Sequence, residues 1–463
     1  MKKVQLNIED IFNVPGSVIY NPDNLKKINY VSIDSRNIRA NTLFIALKGN
    51  RFDGHNFVKD AIKNGAEAIV INKSRLNQFN DIKVPIVTVK DTKLALGDIA
   101  RIWRKKLHTK IIGITGSSGK TTVKDMLAQM LSEKYKVNKT ESNNNNHIGV
   151  PLTILNTNEK HQVLVAELGT NHFGEIPYTA NILSPDYSLI TNIGDSHLEF
   201  LKNREGVWKE KSFLFEETIR NGGKVFLNFD DPILKAKYLR KGNWISYGFS
   251  GRVDVQGKIK SYTEDGKPVI EITYKKKNYE FTLPIYGEQS AKNFLASCAV
   301  ALEFGMSIAQ IKNTVSRLKA PSGRLDVQRF KNFILIDDTY NANPDSTKAA
   351  IELVGRIKTF KKKILILGDM LELGKTSIKL HQKLKSVIVN SKVDEVYTVG
   401  SKMKHLYEKF DRTNLLAIHF AKREFFKSYI NHLNFNDSVI LVKGSRGMRM
   451  EEFVSEIKNK SMI

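Results

Sequence analysis

Cysteine is almost missing from this chain: 463 residues contain one, Cys298. A single thiol cannot close an internal disulfide, so the fold rests on packing alone and suits a reducing compartment. Long hydrophobic runs are missing too. No stretch approaches the roughly 18 consecutive apolar residues that a membrane helix needs, so no membrane span is expected. The opening residues, MKKVQLNIEDIFNV, place Asn, Glu and Asp where a secretory leader needs an apolar stretch. A cytoplasmic location is therefore expected. Acidic residues are few beside basic ones, 48 against 73, leaving a formal charge of +25. The excess is scattered lysine, with short runs at Lys275–Lys277 and Lys361–Lys363. There is no Arg-rich tail and no basic stripe with interleaved aromatics, so nucleic acid is not an expected partner. The charge reads as solvated surface that also steers small anionic substrates. Solenoid repeats and low-complexity tracts are absent; the one biased run, Asn143–Asn146, reads as a polar turn.

What is present describes a globular protein of several domains. The chain is too long for one ordinary domain, and 41% hydrophobic with 26% charged residues is a folded composition. The first segment, 1–105, holds short strand-like runs (YVSID, TLFIAL, AEAIVI, VPIVTV) in a small α/β domain. Between them HNFVKDAIKNGA predicts a helix stopped at Gly65, and a second helix carries apolar positions near Leu94, Ile99 and Trp103. The second segment, 106–320, alternates strands and helices, the pattern of a mostly parallel sheet. KIIGIT, QVLVAELG, YSLITNIG and KVFLNF are its strands, while PVIEITY and YEFTLPIYG, with an Asp265-Gly266 turn, predict antiparallel hairpins. After APSGR (320–324), the segment 321–463 repeats the alternation with NFILID, KILILG, DEVYTV and SVILVKG, a Rossmann-like doubly wound sheet.

The most informative stretch is IIGITGSSGKTTVKDML, 111–127. The usual phosphate-loop pattern places a Gly five positions before the Gly-Lys pair, and here that place is Ile114. The context nevertheless matches. A strand, a turn carrying Gly116, Ser117, Ser118 and Gly119, and a helix with Val123, Met126, Leu127, Met130 and Leu131 on one face follow in order. Such a turn aims backbone N–H groups and a helix N-terminus at an anion. Lys120 supplies charge to the terminal phosphates of ATP, and Thr121 or Thr122 offers a hydroxyl to Mg²⁺. This central unit thus reads as a P-loop ATPase-type domain. Metal needs oxygen ligands, and ligands collect at the carboxyl ends of parallel strands. Glu167 ends one strand, and DSHLEF presents Asp195, His197 and Glu199 after another. In the last segment Asp337 and Asp338 end a strand before a helix starting near Pro344-Asp345-Ser346. VKGSRGMRMEEF repeats strand, turn and helix, with Lys443 and Arg446 suited to a carboxylate or phosphate.

Taken together, TGSSGKTT, AELG, TNIGDSHLEF, a lysine fourteen residues beyond His197, IDDTYNANPDS, LGDMLELG and VKGSRGM resemble the bacterial Mur ligases. DSRNIRANTLFIALKG and RFDGHNF in the first segment resemble that family's UDP-sugar domain, so the likeness spans nearly the whole chain. The resemblance implies a three-domain enzyme that joins D-alanyl-D-alanine to a UDP-N-acetylmuramoyl-tripeptide and splits ATP to ADP and phosphate through an acyl phosphate. It implies a monomer holding three substrates between mobile domains.

By the same resemblance, Lys120 lies on the phosphates. Thr121 or Thr122, Glu167 and His197 surround one or two Mg²⁺ ions. Lys211 in WKEKSFLF carries a CO₂-derived carbamate that is an anionic metal ligand, so Lys120, His197 and Lys211 form the catalytic set. Asn293 contacts adenine, while Arg324 and Asp338 reach the phosphate and ribose sides of the nucleotide. Ser35, Arg36, Asp53 and His55 serve the UDP-sugar, and Asn341 and Asn343 lie near the dipeptide. The family pattern is broken in three places: Ser142 replaces a common Gly, Gln289-Ser290 a His-Asn pair, and Glu210-Lys211-Ser212 an Ala-Lys-Gly run. Two other classes compete. A folylpolyglutamate-synthase-like ligase shares the loop but should lack the sugar-nucleotide domain. A non-catalytic nucleotide-binding protein would leave Glu167, His197 and Lys211 without a purpose.

Overall fold

A computed structural model describes residues 3–25, 27–238, 243–410 and 415–460. Among the described residues the fold is mixed α/β with three sheets, as the strand pattern predicts. The first has five strands in the order Val18–Tyr20, Ile86–Val89, Ala66–Asn72, Thr42–Ile45, Tyr30–Ser32, all parallel but the first. The central sheet has nine strands, parallel from Val137–Lys139 through Lys110–Thr115 to Val255–Tyr262. Its last three strands, including Pro268–Tyr274 and Lys277–Thr282, form the expected antiparallel meander at one edge. The third sheet has six strands, parallel except for Asp326–Arg329 at its edge.

Alternation along the strands explains why helices cover both faces of each sheet. In the third sheet Ile334, Ile336, Leu365 and Leu367 face one core, and Phe333, Leu335, Ile364 and Ile366 face the other. The first two sheets are less separate than their sequence segments suggest. The helix Thr92–Lys106 buries Ala95, Leu96, Ile99 and Trp103 in one cluster shared by Leu43, Val70 and Val87 of the first sheet and Ile111, Leu164 and Ala166 of the second. Trp103 donates its indole N–H to Thr157 O at 2.7 Å, and Arg104 donates to Leu183 O at 3.0 Å. The N-terminal and central units are thus joined by a continuous core, whereas the third has cores of its own.

Leu94 differs from the expected apolar stripe: it is 55% exposed. At 3.6 residues per turn, Ile99 and Trp103 lie about 140° and 180° around the helix from it, so all three cannot face one core. The predicted helix at HNFVKDAIKNGA is a 3₁₀ turn, Gly54–Phe57, followed by a short α-helix, Val58–Lys63; Gly65 follows it with φ +104.

One buried histidine braces the third unit. His381, 0% exposed, donates Nδ1–H to Ser377 O at 2.7 Å and accepts the Met370 N–H on Nε2 at 3.0 Å. A protonated ring could not accept that bond, and burial lowers its pKa below 6.5, with Lys402 and His405 acting in the same direction and Asp369 opposing. The sign follows by linkage: stability is full above the unfolded value and declines as pH falls towards the folded one. Denaturant midpoints measured from pH 7.5 to 5.5 should therefore fall, and fall less in His381→Asn.

Candidate active site

The strand Lys110–Thr115 enters its glycine turn and emerges as the helix Lys120–Leu131. The two glycines are required by space. Gly116 has φ +149 and a Cβ there would lie 3.0 Å from Thr191 Cβ; Gly119 has φ +82 and a Cβ would lie 2.5 Å from Asn293 Oδ1. The neighbouring strand end holds the turn. Ser117 N donates to Asn192 O at 3.0 Å, Ser118 N to Asn192 Oδ1 at 3.1 Å, and Gly194 N to Ser117 Oγ at 2.9 Å. Asn293, expected near adenine from the family resemblance, sits against the turn, and Gln289 donates to its Oδ1 at 3.2 Å.

Around the turn the candidate groups converge. Lys120 Nζ donates to Gly116 O at 2.8 Å. Thr121 Oγ1 donates to Glu167 Oε2 at 2.8 Å, while Thr122 is half-buried beside it. Glu167 is 1% exposed, and Asn145 Nδ2 donates to its other oxygen at 2.9 Å. Burial lowers the Lys120 pKa; Glu167 opposes that shift and Arg324 adds to it. Lys211, on the helix Arg204–Arg220, is 1% exposed, and burial together with the charge of Lys120 drives its pKa well down. Its neighbour Glu210 is committed elsewhere, accepting from Gly174 N at 2.8 Å and Ile176 N at 2.7 Å. His197 stands close enough to Lys120 and Lys211 that both depress its pKa, after the larger effect of burial. Its Nδ1 meets Glu372 Oε2 at 2.7 Å.

The third unit closes over this cleft. Arg324 lies 3.9 Å from the centroid of the Tyr340 ring, and its charge reaches Lys120. Asp338 accepts from Lys443 Nζ at 2.5 Å and from Leu325 N at 3.1 Å. Lys443 also donates to Asn341 O at 3.0 Å. Asn341 Oδ1 accepts from Ala342 N at 2.9 Å, and Asn343 Oδ1 accepts from Ser346 N at 2.8 Å as the cap of the helix Pro344–Arg356.

In the first unit Asp53 Oδ1 meets His55 Nδ1 at 2.6 Å, and His55 Nε2 accepts the Asn72 N–H at 3.0 Å. They line a cavity of about 370 Å³ with Lys48, Arg75, Lys90 and Lys93. Ser35 and Arg36 do not line it; Arg36 forks onto its own Asp34 at 2.9 Å. Gly54 explains the motif's spelling, since a Cβ would lie 2.7 Å from the Leu47 backbone N and O. Overpacking against rigid backbone costs about 1–3 kcal/mol, and Gly54→Ala should lose that much in urea unfolding.

Among the described residues no group of three or more His, Cys, Asp or Glu side chains is placed to hold a metal. Mg²⁺ rarely uses such a cage; it takes one or two carboxylates and completes its octahedron with phosphates and water. A hydroxyl and a buried carboxylate beside a phosphate loop fit that habit. Sequence reading missed Asn145, Asn192 and Glu372. Two of the departures it noted have a local setting: Ser142 has φ +49, a conformation glycine adopts without cost, and Glu210 secures the loop at 174–176.

Comparison with known proteins extends the picture. Residues 27–104 match the Mur ligase family catalytic domain, 114–301 the Mur ligase middle domain, and 323–446 the Mur ligase glutamate ligase domain. UDP-N-acetylmuramoyl-tripeptide–D-alanyl-D-alanine ligase of Bacillus subtilis is 34% identical over 464 residues, covering 98% of both chains. The Escherichia coli protein of that name is 33% identical, covering 93% of this chain and 94% of its own. The crystal structure of MurF from Acinetobacter baumannii superposes with a TM-score of 0.88 at 28% identity, over 99% of this chain and all 100% of that one. MurF of Thermotoga maritima, solved with ADP, gives 0.80 at 28% identity over 94% and 98%.

Proposed function

Because this chain belongs to the Mur ligase family, we propose that it adds D-alanyl-D-alanine to UDP-N-acetylmuramoyl-tripeptide in the synthesis of peptidoglycan precursors. It is an ATP-dependent ligase acting on small molecules, and among the described residues no helix is long and apolar enough to cross a membrane. A monomer working in the cytoplasm completes the reading. The observation that carries it is the convergence of Lys120, Glu167, His197 and Lys211 at one phosphate-binding turn, with Arg324 arriving from the third unit.

A carboxylate does not condense with an amine in water. The peptide's terminal carboxylate therefore attacks the γ-phosphorus of ATP, forming an acyl phosphate and releasing ADP. The dipeptide amine then attacks the acyl carbon, the C–O bond to phosphate breaks, and an amide and inorganic phosphate result. Phosphoryl transfer of this kind depends on positioning and charge neutralisation. The N–H groups of Gly119–Thr122, at the start of the helix, cradle the phosphates, and Lys120 and Arg324 spread positive charge over the oxygens of the transferred group. Thr121, or Thr122, with Glu167 and His197 would hold one or two Mg²⁺ ions, which neutralise phosphate charge when bound. Lys211 suits a carbamate, because carbamate formation needs a neutral amine and burial favours that form. Asn293 lies on the adenine side, Asp338 on the ribose side, Asp53 and His55 with Ser35 and Arg36 towards the UDP-sugar, and Asn341 and Asn343 towards the dipeptide.

Purified protein incubated with UDP-N-acetylmuramoyl-tripeptide, D-alanyl-D-alanine and ATP with Mg²⁺ should yield the pentapeptide mass in mass spectrometry. ADP release only with a glutamyl-pteridine acceptor, and no pentapeptide, would refute the assignment.

A further inference from the structure

The loop 369–374 of the third unit is braced from several sides. Asp369 Oδ1 accepts from Lys402 N at 3.0 Å and Met403 N at 2.7 Å, and Leu371 N donates to Ser445 Oγ at 2.8 Å. Met370 N donates to the buried His381 at 3.0 Å. This bracket presents Glu372, whose φ is +61, to His197, whose φ is +53. Non-glycine residues in that region cost of order 1–3 kcal/mol each and persist only where surroundings over-determine them. The backbones also meet: Glu199 N donates to Glu372 O at 3.0 Å, and Gly374 packs on Glu199, where a Cβ would lie 3.2 Å from Cα.

We propose that Glu372 is a positioning residue that fixes the ring of His197 for metal binding when the third unit is seated on the central one. A carboxylate only accepts hydrogen bonds, so at 2.7 Å a proton sits on His197 Nδ1, and in the neutral ring, the form that binds metal, the lone pair is then on Nε2. Metal-binding histidines commonly donate their second N–H to a carboxylate, which sets tautomer and ring orientation. Here that carboxylate belongs to a different structural unit from the histidine. Seating of the unit that carries the acceptor residues therefore completes the metal site, and an unseated enzyme holds a rotationally free imidazole. The proposal rests on His197 being a metal ligand.

The test uses Mn²⁺ with ADP on the full-length protein, reading imidazole nitrogen coupling to the metal by electron spin echo modulation and Mn²⁺ affinity by titration. Outer-shell partners of this kind are worth about 10–100-fold in metal affinity. Glu372→Ala should lose the nitrogen signal and bind Mn²⁺ that much more weakly. Glu372→Gln, whose amide oxygen still accepts from Nδ1–H, should keep the signal and establishes that position 372 tolerates change. Arg356→Ala breaks a different contact between the units, to Glu288 at 3.1 Å and Tyr262 Oη at 2.7 Å, and should leave the signal intact. Wild-type signal and affinity in Glu372→Ala, or loss of the signal in Glu372→Gln as well, would overturn the proposal. A wild-type protein with no imidazole signal would instead refute His197 as a ligand while leaving the ligase assignment standing.

Discussion

Replacing Lys120 with alanine is expected to abolish measurable turnover, lowering kcat by about 10³-fold or more. Removing one pre-organised charge or donor from a transition state of this type costs on the order of 10²–10³-fold, and Lys120 is both. Its ammonium lies at the N-terminus of the helix that ends the glycine turn, half-buried, and already bonded to Gly116 O at 2.8 Å. A lysine there loses little freedom on meeting a phosphate. The effect should fall on kcat while the fold survives, since alanine is a good helix former and the side chain fills no apolar core. The wild-type pH profile carries the same information. Burial lowers the Lys120 pKa, so activity should decline as pH rises through a value below the ordinary 10.5. ADP release at saturating substrates measures the first, and kcat/KM for ATP across pH, which reports the free enzyme, measures the second; wild-type kcat in the folded variant would remove Lys120 from the phosphates.

Lys211→Ala is the second large effect. We expect a loss of about 10²–10³-fold, because the carbamate would be an anionic ligand for the Mg²⁺ that neutralises the transferring phosphate, and substantial recovery on adding formate or acetate. The physical reason is specific to this site. The amine is 1% exposed and repelled by Lys120, while Glu210, the one acid that opposes the shift, accepts from two backbone N–H groups. A cation is disfavoured there and an anion is welcome, so the space vacated by the lysine side chain should accept a short carboxylate. Removal of CO₂ and bicarbonate from the assay should likewise slow the wild type but not the rescued variant. A folded Lys211→Ala protein that no short carboxylate revives would rule out the carbamate.

Much of this was legible in the sequence because the signals were local. The turn Gly116–Gly119, the apolar face Val123 to Leu131 and the alternation in NFILID each occupy one short window, and period and spacing report them directly. Glu167 and His197 were legible because parallel strands collect function at their carboxyl ends. What escaped depends on distance along the chain. Asn145 lies in a run of asparagines that any surface turn could contain, and only the fold brings it 2.9 Å from Glu167. Glu372 is separated from His197 by 175 residues, and no periodicity links them. The core shared by the first two units was hidden in the same way, since Trp103 reads as the end of one domain yet bonds Thr157 of the next.

The reaction runs through an acyl phosphate, and oxygen labelling follows that intermediate. With UDP-N-acetylmuramoyl-tripeptide labelled by ¹⁸O in both oxygens of the reacting carboxylate, one label should leave with inorganic phosphate at each turnover and one should remain in the new amide. Phosphate free of label, or label recovered in AMP, would contradict the account.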